Sequence, residues 1–172
     1  MEEYIKQLKG TFENELFYFT LIGCMTLIDT CSALNSQDGQ TNKKRFKEWY
    51  KKYMYKYHNL DKAICFDADE CYKLRCRLLH QGQSKIDTDD LDTTIKSGTI
   101  AFRIPPGTFH CCNFERIYYI DVEIFMNDLI EAVEEWLEEA SKTDYIESNL
   151  QNMIKITTTP PGNSNRRGTY IY

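Results

Sequence analysis

The chain is poor in the residues that punctuate or staple a fold. It has 4 prolines and 8 glycines among 172 residues, too few for a collagen-like or low-complexity protein. No Gly-rich phosphate loop, HExxH pair or Ser-His-Asp arrangement occurs in it, so P-loop, metalloprotease and triad chemistry find no foothold. No two of its 7 cysteines stand in a CxxC spacing. That odd number, together with a start (Met1-Glu2-Glu3-Tyr4-Ile5-Lys6) lacking a basic and then apolar leader, favours reduced thiols and a cytoplasmic location over a disulfide framework. Long apolar runs are missing too. The longest, Leu16 to Ile28, contains Thr20 and Thr26 and meets Asp29. A membrane-spanning helix needs roughly 20 apolar residues, so the run is read as a core helix and no membrane partner is expected.

Positive charge is missing locally rather than overall. Residues 121–140 hold eight Asp or Glu and no Lys or Arg, whereas residues 43–56 hold seven Lys or Arg against one Glu. The net charge of −5 excludes a protein that coats nucleic acid over its whole surface, but leaves room for a basic patch.

What is present fits one soluble-type domain: 42% hydrophobic and 27% charged residues, with 12 Tyr, 9 Phe and 2 Trp to fill a core. Helical spacing of Phe12, Leu16, Phe19, Ile22, Leu27 and Cys31 predicts a long central helix over residues 12–35, stopped by Asn35-Ser36-Gln37-Asp38-Gly39-Gln40. Phe46, Trp49, Tyr50, Tyr53 and Tyr57 form one stripe of a second helix, about 41–57, whose lysines cover much of the rest. Asp67 and Glu70 form the acidic variant of a capping box at the start of a third helix, and Gly82 is its stop. Ile100, Phe102 and Ile104 alternate as a strand does. With the Pro105-Pro106-Gly107 turn and the aromatic-rich stretch from Phe109 to Tyr119, they predict a β-hairpin at about 99–119. A last helix, about 121–141, has Val122, Phe125, Leu129, Val133, Trp136 and Leu137 as its apolar stripe. The expected architecture is a mainly helical bundle over residues 1–149 with a small inserted β-hairpin, followed by a loosely ordered tail over 150–172.

The segment Tyr72-Lys73-Leu74-Arg75-Cys76-Arg77-Leu78-Leu79-His80-Gln81-Gly82 carries the most chemistry. An arginine stands five residues before a histidine in the last turns of the third helix. This Arg75-x4-His80 string resembles the R-x4-6-H motif of the HEPN (higher eukaryotes and prokaryotes nucleotide-binding) superfamily, many of whose members are metal-independent ribonucleases. The context is similar as well: a long apolar helix bearing an acid, the motif helix in mid-chain, and a closing helix. The resemblance spans roughly residues 12–141, and its specific part is these eleven residues. It carries the family's arginine to Arg75, its histidine to His80 and the facing acid to Asp29. The residue after the arginine, often Asn or Asp in the family, is Cys76 here.

The resemblance implies a metal-independent endoribonuclease needing no cofactor, with RNA as substrate. It also implies a homodimer and an antitoxin or regulatory partner of a toxin–antitoxin or anti-phage system. Histidine suits general acid or base work near neutral pH, and arginine's fork of donors suits a phosphate. Asp29 is the candidate to orient the imidazole. Arg77, Lys47 and Lys51 are candidate RNA ligands, with the aromatic residues of the basic helix as candidate stacking surfaces. Residues five apart on a helix lie about 140° apart around its axis, so Arg75 and His80 do not share a stripe. A composite site across a two-fold axis is one resolution.

Two blander readings stand beside these. A histidine in a last turn caps carbonyls, and Arg75 pairs with Glu70, Asp29 or another acid. A non-catalytic module binding RNA, nucleotide or protein through the same surface is the alternative function, and an acidic last helix docking a basic partner is a third. Asp87, Asp89, Asp90 and Asp92 fail as a calcium loop, because the sixth and twelfth positions counted from Asp87 are Asp92 and Gly98. His110 with Cys111 and Cys112 lacks a second ligand cluster in the sequence and is read as buried on the hairpin, so no metal is assigned.

Overall fold

The computed structural model describes residues 1–60, 63–64, 66–86, 98–104, 110–114, 117–140, 143–154, 156–157 and 170–171. Its helices are α1 (Glu2–Glu13), α2 (Phe17–Leu34), α3 (Lys43–Tyr53), α4 (Tyr55–His58), α5 (Ala68–Gln81), α6 (Val122–Ala140) and α7 (Asp144–Gln151). Short strands are β1 (Asn59–Leu60), β2 (Ala63–Ile64), β3 (Lys85–Ile86), β4 (Gly98–Arg103), β5 (Cys112–Phe114), β6 (Ile117–Asp121), β7 (Ile156–Thr157) and β8 (Tyr170–Ile171). The class is mainly α, bundle-like, with a small β insertion, as expected.

The helix α2 is the hub. It is apolar all round and packs against α1, α3, α5, α6 and α7, burying Leu21, Cys24, Met25, Leu27, Ile28, Cys31 and Leu34. Its length and composition would allow a membrane span; an all-round apolar helix is equally what the centre of a bundle requires. The expected single helix from residue 12 is corrected at its start. The chain breaks at 14–16, where Glu15 adopts a left-handed φ of +58°, and a separate α1 folds back along α2. Close approach is possible because Gly23 lacks a side chain: a Cβ there would lie 2.6 Å from Leu8 Cδ1. The Tyr4 hydroxyl donates to the Gly23 carbonyl at 2.9 Å, and Thr11 and Thr20 hydroxyls meet at 3.0 Å.

The aromatic stripe of α3 faces inward as the spacing predicts, with Phe46, Trp49, Tyr50 and Tyr53 buried. Asn42 caps its start by accepting from the Arg45 amide at 3.0 Å. A turn at Met54 separates α3 from α4, so the expected 41–57 helix is two pieces. On α6, Val122, Phe125, Leu129, Val133 and Trp136 are fully buried; each such large side chain contributes about 1.5–3 kcal/mol through removal from water. The basic and acidic helices answer each other. Lys52 pairs with Glu139 at 2.5 Å, Lys56 pairs with Glu135, and the Tyr53 hydroxyl donates to Glu139 at 2.8 Å. Part of the charge asymmetry therefore closes within one chain, although exposed pairs of this kind add only about 0–1 kcal/mol each.

The β insertion differs from the expected hairpin in its pairing. One sheet runs β3-β4-β6-β5. Strand β4 is parallel to β6, with Ile100 opposite Tyr118 and Phe102 opposite Ile120, and the antiparallel hairpin is β5–β6. The physical reason is the shared face: this register sets Ile100, Phe102, Tyr118 and Ile120 together against the helical core. The expected Pro105–Gly107 turn and the acidic stretch 87–92 lie outside the described residues. At the C-terminal end, α7 extends past the expected boundary, and Asn149 donates to the carbonyls of Leu34 and Ser36 at 3.1 and 2.9 Å, closing the end of α2. Strands β7 and β8 pair antiparallel; residues 155, 158–169 and 172 of the tail lie outside the described residues.

Candidate active site

Local chemistry sets both ends of α5. Asp67 accepts from the amides of Asp69 and Glu70 at 2.8 Å each, and the Glu70 carboxylate accepts from the Asp67 amide at 2.8 Å, the reciprocal capping box. At the other end Gly82 takes φ +63°, and its amide donates to the Leu78 carbonyl at 3.1 Å. Between these stops, Cys71, Leu74 and Leu78 are buried against the core, which turns Arg75 toward α2 and leaves His80 exposed in the last turn.

Arg75 joins the three residues singled out by the motif. Its Nε–H donates to Asp29 Oδ2 at 2.5 Å, and its Nη1 lies 3.4 Å from His80 Nε2. The angular offset is thus bridged within one chain: the long arginine side chain reaches along the helix to the imidazole, and no second protomer is needed to bring the two together. Because a guanidinium only donates, His80 Nε2 is the acceptor in this contact, and the neutral ring carries its proton on Nδ1. Asp29 bonds the arginine, and no hydrogen bond joins it to His80 among the described residues. The acid expected to orient the imidazole holds its neighbour instead.

The ion pair is mostly shielded, with Arg75 and Asp29 side chains 21% and 15% exposed. Burial pushes the Asp29 carboxyl above its ordinary value, and the Arg75 hydrogen bond and charge and the His80 charge pull it back. Burial also opposes charge on Arg75, but the Asp29 contact outweighs it and the arginine rises. A guanidinium stays protonated throughout the neutral range, and its Nε–H has the Asp29 carboxyl oxygen as acceptor at 2.5 Å. Cys76 Sγ lies 3.9 Å from Arg75 Nη1 and borders Tyr72, whose phenol is raised first by burial and then by Cys76.

The other candidate ligands scatter. Arg77 Nη1 reaches Gln83 Oε1 at 3.5 Å, over the same end of α5 as His80. Lys47 pairs with Asp69 at 2.7 Å in the first turn of α5, about 16 Å along the axis from His80 at 1.5 Å per residue. Lys51 lines a shallow basic hollow on α3 with Lys43, Lys44 and Lys47. Trp49 and Tyr53, buried, belong to the core rather than to a stacking surface.

The sequence reading passed over Tyr18. Its hydroxyl lies where a side chain on Gly82 would meet it at 3.4 Å, and it stands edge-to-face with Phe19 at 6.0 Å. Both rings are half exposed; Tyr18 stands beside the end of α5, whereas Phe19 lines a hollow with Tyr4, Gln7, Leu8 and Thr11 of α1. The available signal was the placement of two aromatics at the start of an apolar helix, which reads equally as core.

No protein-family model, curated protein sequence or solved structure matches the chain significantly.

Proposed function

We propose that the Asp29–Arg75–His80 cluster is the site of a metal-independent endoribonuclease of HEPN type. The observation that carries this reading is the 3.4 Å approach of Arg75 Nη1 to an exposed His80 Nε2, with the arginine held from behind by Asp29. A phosphate placed against Arg75 has its neighbouring ribose 2′-hydroxyl within reach of the imidazole acceptor. As Arg75 Nη1 turns from His80 to the phosphate, the lone pair freed on Nε2 takes the 2′-hydroxyl proton. The 2′-oxygen forms a bond to phosphorus, and the bond to the 5′-oxygen breaks. That oxygen leaves with a proton from solvent, giving a 2′,3′-cyclic phosphate and a 5′-hydroxyl. Arg75, with Arg77 near the same helix end, answers the charge that builds on the phosphate oxygens. The remaining parts of the reading rest on the family resemblance alone: a cytoplasmic homodimer acting in a toxin–antitoxin or anti-phage setting, restrained by an antitoxin or regulatory protein.

A second reading has its own support. The half-exposed Tyr18 ring, whose hydroxyl stands beside Gly82, offers a face for stacking a base that does not depend on His80, as a non-catalytic module binding RNA or nucleotide would use. The test is cleavage of total and transfer RNA in EDTA by the purified protein and by a His80→Ala variant of matched circular dichroism. Cleavage by the wild type alone supports the nuclease. Absence of cleavage by both across pH, with RNA affinity lost on Arg75→Ala and kept in His80→Ala, moves the assignment to the binding module.

A further inference from the structure

The two histidines outside this site face each other, with ring centroids 5.7 Å apart. His58 ends α4 and is fully buried, stacked on Phe125 and edge-on to Phe66. Its Nδ1 lies 2.8 Å from the Tyr50 hydroxyl, while its Nε2 is buried with no hydrogen-bond partner. His110, just before β5, places Nε2 3.3 Å from Cys111 Sγ. Cys111 is buried and takes φ +52°, a left-handed conformation unusual for a residue with a side chain. The donor atoms of His58, His110 and Cys111 all lie within 4.8 Å of one another. From α6, Asp128 Oδ2 approaches His110 Nε2 to 3.7 Å and His58 Nε2 to 4.0 Å.

Hydrogen bonds hold His110 to Cys111 and His58 Nδ1 to Tyr50, but leave the side between His58 Nε2 and Asp128 unsatisfied. The carboxylate faces both imidazoles at distances beyond hydrogen-bond range, and the buried His58 nitrogen points at it unpaired. These separations suit ligands around a shared cation. Zinc bonds of about 2.0–2.3 Å to nitrogen, oxygen and sulfur in a tetrahedron set ligand atoms roughly 3.3–3.8 Å apart, so an ion draws His58, His110 and Cys111 together from separations of up to 4.8 Å. Two neutral imidazoles, a thiolate and a carboxylate around a divalent ion also sum to zero charge, as a buried site requires. The mixed N, S and O set is wrong for magnesium or calcium and right for zinc.

We propose that His58, His110, Cys111 and Asp128 form a closed tetrahedral site for a zinc-type divalent ion. With four protein ligands and no open position it is structural, pinning the β insertion to α4 and α6. On binding, Cys111 loses its thiol proton to solvent. His110, whose Nδ1 now accepts the Asp121 amide at 3.2 Å, moves its ring proton from Nε2 to Nδ1. The Asp121 amide gives up this acceptor in exchange for the metal bond. The sequence hides this set because His110 and Cys111 are adjacent while His58 and Asp128 come from distant helices. The site is independent of the ribonuclease reading.

The test uses the full, reduced protein titrated with cobalt(II) and then zinc. One cobalt per chain is expected, with a tetrahedral visible spectrum and a thiolate-to-cobalt band, displaced by zinc with a rise in Tm. Cys111→Ser removes the thiolate band, Cys76→Ser keeps it, and Asp128→Asn weakens zinc binding roughly tenfold or more. In the unmodified protein, zinc shifts the ring signals of two of the three histidines in NMR spectra, which needs no variant to fold. Absence of saturable cobalt binding, a thiolate band that survives Cys111→Ser, or ring shifts confined to His80 overturns the proposal.

Discussion

Asp29 and Arg75, 46 residues apart in the chain, meet through a 2.5 Å hydrogen bond that ties α2 to α5. The bond occupies Nε of the guanidinium and leaves its Nη1 directed at His80. Arg75 is therefore both a structural tie and the group that presents charge beside the imidazole, and the two roles separate experimentally.

Arg75→Lys keeps the charge but loses the planar fork. We expect RNA cleavage to fall about 100-fold or more and stability to fall by about 1–3 kcal/mol, the loss of a shielded charged hydrogen bond. Urea denaturation beside a cleavage assay separates these effects. A double-mutant cycle with Asp29→Asn should give a coupling of about 1 kcal/mol or more, and a coupling near zero would remove Asp29 from the arginine's support.

His80→Ala touches an exposed last-turn residue, so the stability change should lie within about 0.5 kcal/mol while cleavage drops to background. Equal loss of both, read from melting curves and product gels on the same samples, would make His80 a helix-end residue and no more.

Glu70 makes stability depend on pH. Its buried carboxyl is pushed from 4.5 up to about 8, chiefly by burial, with the charges of Asp67 and Asp69 adding and the Asp67 amide pulling back. Between these values the folded chain holds a proton that the unfolded chain has released. Its contribution is full below about pH 4.5 and declines by up to about 1.4 kcal/mol per pH unit as pH rises toward 8. Glu70→Gln keeps the capping acceptor without ionising, so it should flatten this decline. Urea midpoints at pH 5 and pH 8 for both proteins decide it, and parallel declines would count against the assignment.

Gly82→Ala places a side chain at φ +63°. The nearest atom, the Tyr18 hydroxyl at 3.4 Å, is at ordinary contact distance, so the cost is conformational, about 1 kcal/mol. A Tm drop of a few degrees is expected. A drop no smaller in Gly82→Asn, which tolerates the left-handed region better, would argue against backbone strain as its cause.

The parts of the fold legible in the sequence are those written within a turn or two of chain. Asp67 and Glu70 announce the start of α5 and Gly82 its end, because capping bonds join residues three or four apart. The stripe Phe46-Trp49-Tyr50-Tyr53 and that of α6 are legible because burial follows the helical period. The break between α1 and α2 was not, since it relies on Glu15 in a conformation that glycine usually signals. Nor was the parallel β4–β6 pairing, which shares one buried face but no local turn.

At the candidate site, local pattern was enough to put Arg75 and His80 on one helix, close to its C-terminal end, and Asp29 on the long apolar helix earlier in the chain. That Asp29 takes the arginine rather than the histidine follows from how α2 and α5 pack. Tertiary packing also decided that Arg75 spans the gap to His80 within one chain, and that His58, His110, Cys111 and Asp128 converge. Residues on one helix turn meet by backbone geometry alone. Groups on separate elements meet only where packing of α2, α5, α6 and the sheet brings them, and that packing is settled by the whole core at once.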